Sequence, residues 1–148
     1  MVEKTFIILS QEKAKEFVTD LPYLHISVRD PGDVPVETLT NPNMVARLDL
    51  EFSDFDVDIN PKILETNIKV FTKEDAQSIL KVFSLTEKYI SLVVINCVAG
   101  ISRSAAIAAA LTKLLGQDDS SYFKRYCPNR YVYRTIINLG MDSRPIGE

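Results

Sequence analysis

Leu92-Val93-Val94-Ile95-Asn96-Cys97-Val98-Ala99-Gly100-Ile101-Ser102-Arg103-Ser104, running straight into Ala105-Ala106-Ile107-Ala108-Ala109-Ala110-Leu111, is the stretch on which the reading of this chain turns. The uninterrupted apolar run Leu92–Ile95 predicts a buried strand, and the alanine-rich run from Ser104 predicts a helix. Between them Cys97 to Arg103 is a short loop with a glycine in its middle, where the backbone is free to take positive φ. A loop that leaves a buried strand and enters a helix turns its amide N–H groups inward, which makes an anion cradle at the helix N-terminus. The same helix end and a nearby cation favour the thiolate form of a cysteine, and the thiolate is the nucleophile. Cys127 is the internal control: Tyr133 stands six residues after it, and neither a strand nor a glycine accompanies it.

Cys97 to Ser104 resembles the Cys-x5-Arg-Ser/Thr phosphate-binding loop of the protein tyrosine phosphatase superfamily, most closely its small dual-specificity-like members. The resemblance extends to the order of elements, with an acidic segment upstream, a helix before the cysteine strand, and a closing helix around Pro128-Asn129-Arg130-Tyr131-Val132-Tyr133-Arg134. One departure is plain. The family carries histidine immediately before the cysteine, whereas this chain has Asn96 there, and His25 is its sole histidine. Asn96 is expected to hydrogen-bond the loop backbone in its place.

The resemblance implies a mechanism that phosphoryl transfer also asks for. Arg103 supplies a planar fork for two phosphate oxygens, and the amides of Val98, Ala99, Gly100, Ile101 and Ser102 hold the others. In-line attack by Cys97 gives a cysteinyl-phosphate, which splits hydrolysis into two easier steps. The leaving oxygen needs a proton, and Glu51-Phe52-Ser53-Asp54-Phe55-Asp56-Val57-Asp58 follows a strand and carries the candidates. Asp54 best matches the place of the family's acid. Asp56 and Asp58 stay open, because in an extended segment all three lie on one face. By resemblance, Ser104 donates to the Cys97 sulfur as it leaves, and Asn129 buttresses the loop.

Composition bounds the rest. The chain has 148 residues, 46% of them hydrophobic and 25% charged, which suits one domain over residues 1–148 with a real core. A formal charge of −3 offers no broad basic surface and argues against nucleic acid as a partner. Two cysteines are no disulfide scaffold, and the N-terminal Met1 to Ser10 has too short an apolar core for a secretion signal. No stretch reaches membrane-spanning length, since Lys113 interrupts the alanine-rich helix. A cytoplasmic monomer is expected, with no metal and no cofactor.

Along the chain, Thr5–Leu9 reads as a strand, residues 11–18 as a helix, and Leu24–Val28 as an alternating strand. Asp30-Pro31-Gly32-Asp33 marks a turn, residues 35–43 a surface loop, and Met44–Leu50 a third strand. Thr72 is the expected N-cap of the next helix, with Asp75 at its third position and Ile79, Leu80, Phe83 and Leu85 as its core face; the helix ends near Tyr89. This order predicts an α/β fold in which helices flank a mostly parallel sheet, with the Cys97 loop at the carboxyl end of a central strand.

The expected function is therefore cysteine-dependent phosphomonoester hydrolysis, on phosphorylated protein or a small phosphomonoester. The loop interior has no lysine or arginine before Arg103, which disfavours polyphosphorylated substrates. Two alternatives are kept: a phosphate-binding module without useful turnover, and a thiol-based sulfur-transfer or arsenate-reducing enzyme. The tyrosines and Phe123 between residues 122 and 133 read as packing, and His25 as structural or exposed.

Overall fold

The computed structural model describes residues 4–142; residues 1–3, at the start of the N-terminal segment read above, and 143–148 lie outside it. Four parallel strands form one sheet: β1 (Thr5–Leu9), β2 (Tyr23–Arg29), β3 (Met44–Glu51) and β4 (Leu92–Asn96), in the order β1-β4-β2-β3. Ile95 of β4 lies opposite Ile8 on one side and Ile26 on the other, so β4 is flanked on both edges. Every residue of β4 is buried, as its unbroken apolar run requires.

The helices are α1 (Gln11–Glu16), α2 (Lys73–Thr86), α3 (Arg103–Leu114), α4 (Ser120–Arg125) and α5 (Arg130–Asp142). Leu24, Ile26, Val28, Val93 and Ile95 point to the main core, which α2, α3 and α5 cover. The opposite face carries a smaller cluster of Tyr23, Leu92 and Val94, with Phe17 packed on it. In α3 every residue from Arg103 to Thr112 is buried, and the alanines let it lie close against the sheet and α5. The approach of α5 is equally tight, since a Cβ on Gly140 would stand 2.5 Å from Leu114 Cδ1. No helix among the described residues is long and apolar enough to cross a membrane.

Several local expectations are met in detail. Thr72 and Asp75 form a reciprocal capping box at the start of α2. Asp30 to Asp33 turns with Gly32 at φ 89°. Others need correction. α1 stops at Glu16 rather than residue 18, because Phe17 leaves the helix in an extended conformation and stacks edge-on against Tyr23. β2 is not half-exposed: paired with strands on both sides and covered on both faces, it is buried from Tyr23 to Val28. Leu85 is 65% exposed, and Ala76, Ile79, Phe83 and Thr86 form the buried face of α2. That helix ends at Thr86, and a 3-10 turn over Glu87–Tyr89 continues it to the expected end.

Candidate active site

The loop after β4 is held from three sides. The N–H of Gln11, in the first turn of α1, donates to the Val98 carbonyl at 3.1 Å, the N–H of Cys127 donates to the Ile101 carbonyl at 3.2 Å, and that of Asn129 to the Ser102 carbonyl at 3.1 Å. Gly100 has φ 72°, and a Cβ there would come within 2.7 Å of the Ser10 nitrogen and 2.8 Å of the Leu9 carbonyl carbon. Glycine is thus required twice over, for its dihedral and for the contact with the end of β1.

Inside this frame Cys97 is buried, with one backbone N–H and one hydroxyl within hydrogen-bond distance of its sulfur. The Gly100 N–H donates to Cys97 Sγ at 3.3 Å, and the Ser104 hydroxyl lies 3.1 Å from it. Cys127 is exposed, and both cysteines are free thiols.

Arg103 is 4% exposed and stands at the first position of α3. Its Nη1 is doubly anchored, donating to the Phe52 carbonyl at 2.7 Å and lying 2.7 Å from Asp30 Oδ1. Its Nε is buried and has no hydrogen-bond partner among the described residues. A guanidinium nitrogen in that condition costs free energy until an acceptor arrives. The carboxyl ends of β2 and β3 supply both anchors, so the sheet itself orients the fork. The ion pair is with half-exposed Asp30, but the guanidinium itself is internal. Asp30 was read only as a turn residue, and nothing local signals its reach across the sheet.

The three aspartates after β3 separate cleanly. Asp54 Oδ1 accepts from the Ser102 hydroxyl at 2.8 Å and from Asn129 Nδ2 at 3.1 Å. Asp56 Oδ2 accepts from the Arg130 N–H at 2.8 Å, at the start of α5. Asp58 takes both Nε and Nη2 of Arg134, at 2.9 and 2.5 Å. The Arg134 hydrogen bonds hold the Asp58 carboxyl below its ordinary pKa and push the guanidinium up. Of the three, Asp54 is the one hydrogen-bonded to the Cys97 loop among the described residues, through Ser102. Asn129 joins the two segments, since its Nδ2 also donates to the Phe55 carbonyl and its N–H to Ser102. A cleft of about 380 Å³ opens beside them, walled by Asp54, Ser102, Phe123, Tyr126, Cys127 and Asn129 among others.

Asn96 departs from expectation. Its Oδ1 lies 2.7 Å from His25 Nε2 on the neighbouring strand, and its Nδ2 is buried without a partner among the described residues, so its side chain does not hold the described loop backbone. His25 is buried rather than exposed, and burial lowers its pKa against the smaller raising effect of the Asn96 bond. The residue before the cysteine thus carries no imidazole of its own, while the His25 imidazole reaches it from β2.

No family model matches the sequence, and no curated protein matches it either. Solved structures do. PTPMT1 in complex with PI(5)P superimposes with a TM-score of 0.58 at 13% identity, over 93% of this chain and 91% of that one. The fold is that of the dual-specificity phosphatases. A human tyrosine phosphatase-like serine/threonine/tyrosine-interacting protein gives a TM-score of 0.51 at 15% identity, over 82% and 78% of the two chains. Among the described residues no group of three or more His, Cys, Asp or Glu side chains could hold a metal ion.

Proposed function

We propose that this chain is a cysteine-dependent phosphomonoester hydrolase of the tyrosine or dual-specificity type. The observation that carries the reading is the state of Arg103: one nitrogen is fixed by two anchors while buried Nε lacks an acceptor, in the residue that follows a loop of amides closed around a thiol. A tetrahedral dianion meets that demand, with oxygens for the free guanidinium edge and for the loop N–H groups. Cys97 attacks phosphorus and forms the cysteinyl-phosphate. Asp54 protonates the departing alkoxide or phenoxide, and then takes a proton from the water that releases phosphate. Ser104, 3.1 Å from the sulfur, stabilises it as a leaving thiolate in the second step.

The binding-module reading draws on the likeness to a protein described as phosphatase-like and interacting. Against it, Gly100 N–H and the Ser104 hydroxyl both serve the Cys97 sulfur, an investment that binding alone does not need. The two are separated with para-nitrophenyl phosphate and vanadate. Hydrolysis by wild type, its abolition in Cys97→Ser, and vanadate inhibition of the wild type support the enzyme. Vanadate or phosphopeptide binding without turnover in either protein supports the module.

A further inference from the structure

The segment that carries Asp54 is fastened at every second residue to the same short stretch of chain, residues 129–134. Asp54 meets Asn129, the Phe55 carbonyl meets Asn129, Asp56 meets the Arg130 N–H, and Asp58 meets the Arg134 guanidinium. The chain turns over residues 57–59, where the Ile59 and Asn60 N–H groups donate to the Asp56 carbonyl and the Asp58 N–H to Asp56 Oδ1, and one helix turn along α5 separates Arg130, which meets Asp56, from Arg134, which meets Asp58. Val57, between the last two aspartates, is buried.

We propose that Asp58–Arg134, together with Asp56 on the first turn of α5, is a latch that positions the general acid Asp54 over the Cys97 loop. The proposal rests on the phosphatase reading. Asp58 and Arg134 touch neither the thiol nor the phosphate cradle and are positioning residues. Their side chains are 30% and 52% exposed, so the pair contributes little to global stability. What it controls is place. Among the described residues two side chains, Ser102 and Asn129, donate to Asp54, and a shift of about 1 Å in a reacting group is enough to cost a large part of its effect. Because the pair is exposed, salt screens it, and proton donation weakens as ionic strength rises.

The latch is tested by comparing phenyl phosphate, whose leaving group needs the acid, with para-nitrophenyl phosphate, whose leaving group needs it far less. In Asp58→Asn and Arg134→Gln the ratio of kcat for phenyl to para-nitrophenyl phosphate falls about tenfold, short of the ~10²-fold or greater loss from deleting an acid. Arg134→Lys, and the exchanged pair Asp58→Arg with Arg134→Asp, recover most of it. Amide hydrogen exchange over residues 53–60 quickens in the single variants and slows again in the exchanged pair. A ratio that stays at the wild-type value in both single variants overturns the latch. Should the wild type hydrolyse neither ester, the phosphatase reading fails on its own, and exchange over residues 53–60 decides whether the pair holds the segment: unchanged exchange in the single variants overturns that too.

Discussion

Arg103 Nη1 lies 2.7 Å from Asp30 Oδ1 and equally close to the Phe52 carbonyl, which turns the Nε edge of the guanidinium away from the protein's own acceptors. Two effects of Asp30 on an incoming anion oppose each other. Its charge repels phosphate, but at 50% exposure that repulsion is screened, whereas the anchor acts on a guanidinium that is almost wholly buried. Anchoring wins. Asp30→Ala is expected to weaken vanadate binding about tenfold, the worth of one charge-assisted hydrogen bond, and Asp30→Asn less. Tighter binding in Asp30→Ala, read by inhibition of ester hydrolysis, would show that repulsion dominates.

Asp54 is distinguished from its neighbours by contact with Ser102. Asp54→Asn should lower turnover of phenyl phosphate by about 10²-fold or more, with a smaller loss on para-nitrophenyl phosphate. Asp56→Asn loses less on the same substrate. A larger loss from Asp56→Asn than from Asp54→Asn would move the acid to Asp56.

How far these roles were legible in the sequence follows from how far apart the partners lie. The strand, loop and helix around Cys97 rest on neighbouring residues, and the Thr72–Asp75 capping box spans three. Both were readable. His25 and Asn96 are 71 residues apart and meet only because β2 and β4 pair, and the assignments of Asp54, Asp56 and Asp58 depend on partners 48 to 76 residues away, on the Cys97 loop and on and before α5. Alternation would put the three on one face only in an extended segment, and the turn over residues 57–59 breaks that condition. Leu85 shows the opposite limit, a leucine at a plausible core spacing left outside because Ala76, Ile79 and Phe83 already fill the sheet-facing side of α2.

His25 offers a clean titration, since the chain has one histidine. Burial lowers its folded-state pKa below the ordinary 6.5, so the unfolded chain binds the proton first. Its contribution to stability is complete above about pH 6.5 and is lost as pH falls toward the depressed folded value. NMR of the imidazole should show a midpoint below 6.5. Wild type should also lose more stability than His25→Gln between pH 7 and 5, as measured by urea unfolding. A midpoint at or above 6.5 contradicts this environment.

Gly100→Ala combines a φ of 72° with a Cβ driven to 2.7 Å from the Ser10 backbone. Strain of about 1–3 kcal/mol is expected from the dihedral alone, and the contact adds displacement of the loop. Thermal unfolding should report the first and a loss of vanadate affinity the second. Wild-type stability together with wild-type affinity would mean the loop does not rest on the end of β1.

The central claim is that Cys97 carries the phosphoryl group between substrate and water. Acid quench of wild type during turnover of para-nitrophenyl phosphate, followed by peptide mass spectrometry, measures it directly. A phosphate mass is expected on the peptide containing Cys97, accumulating most when Asp54→Asn slows its hydrolysis, and none in Cys97→Ser. Turnover with no phosphate on Cys97 in either wild type or Asp54→Asn would contradict it.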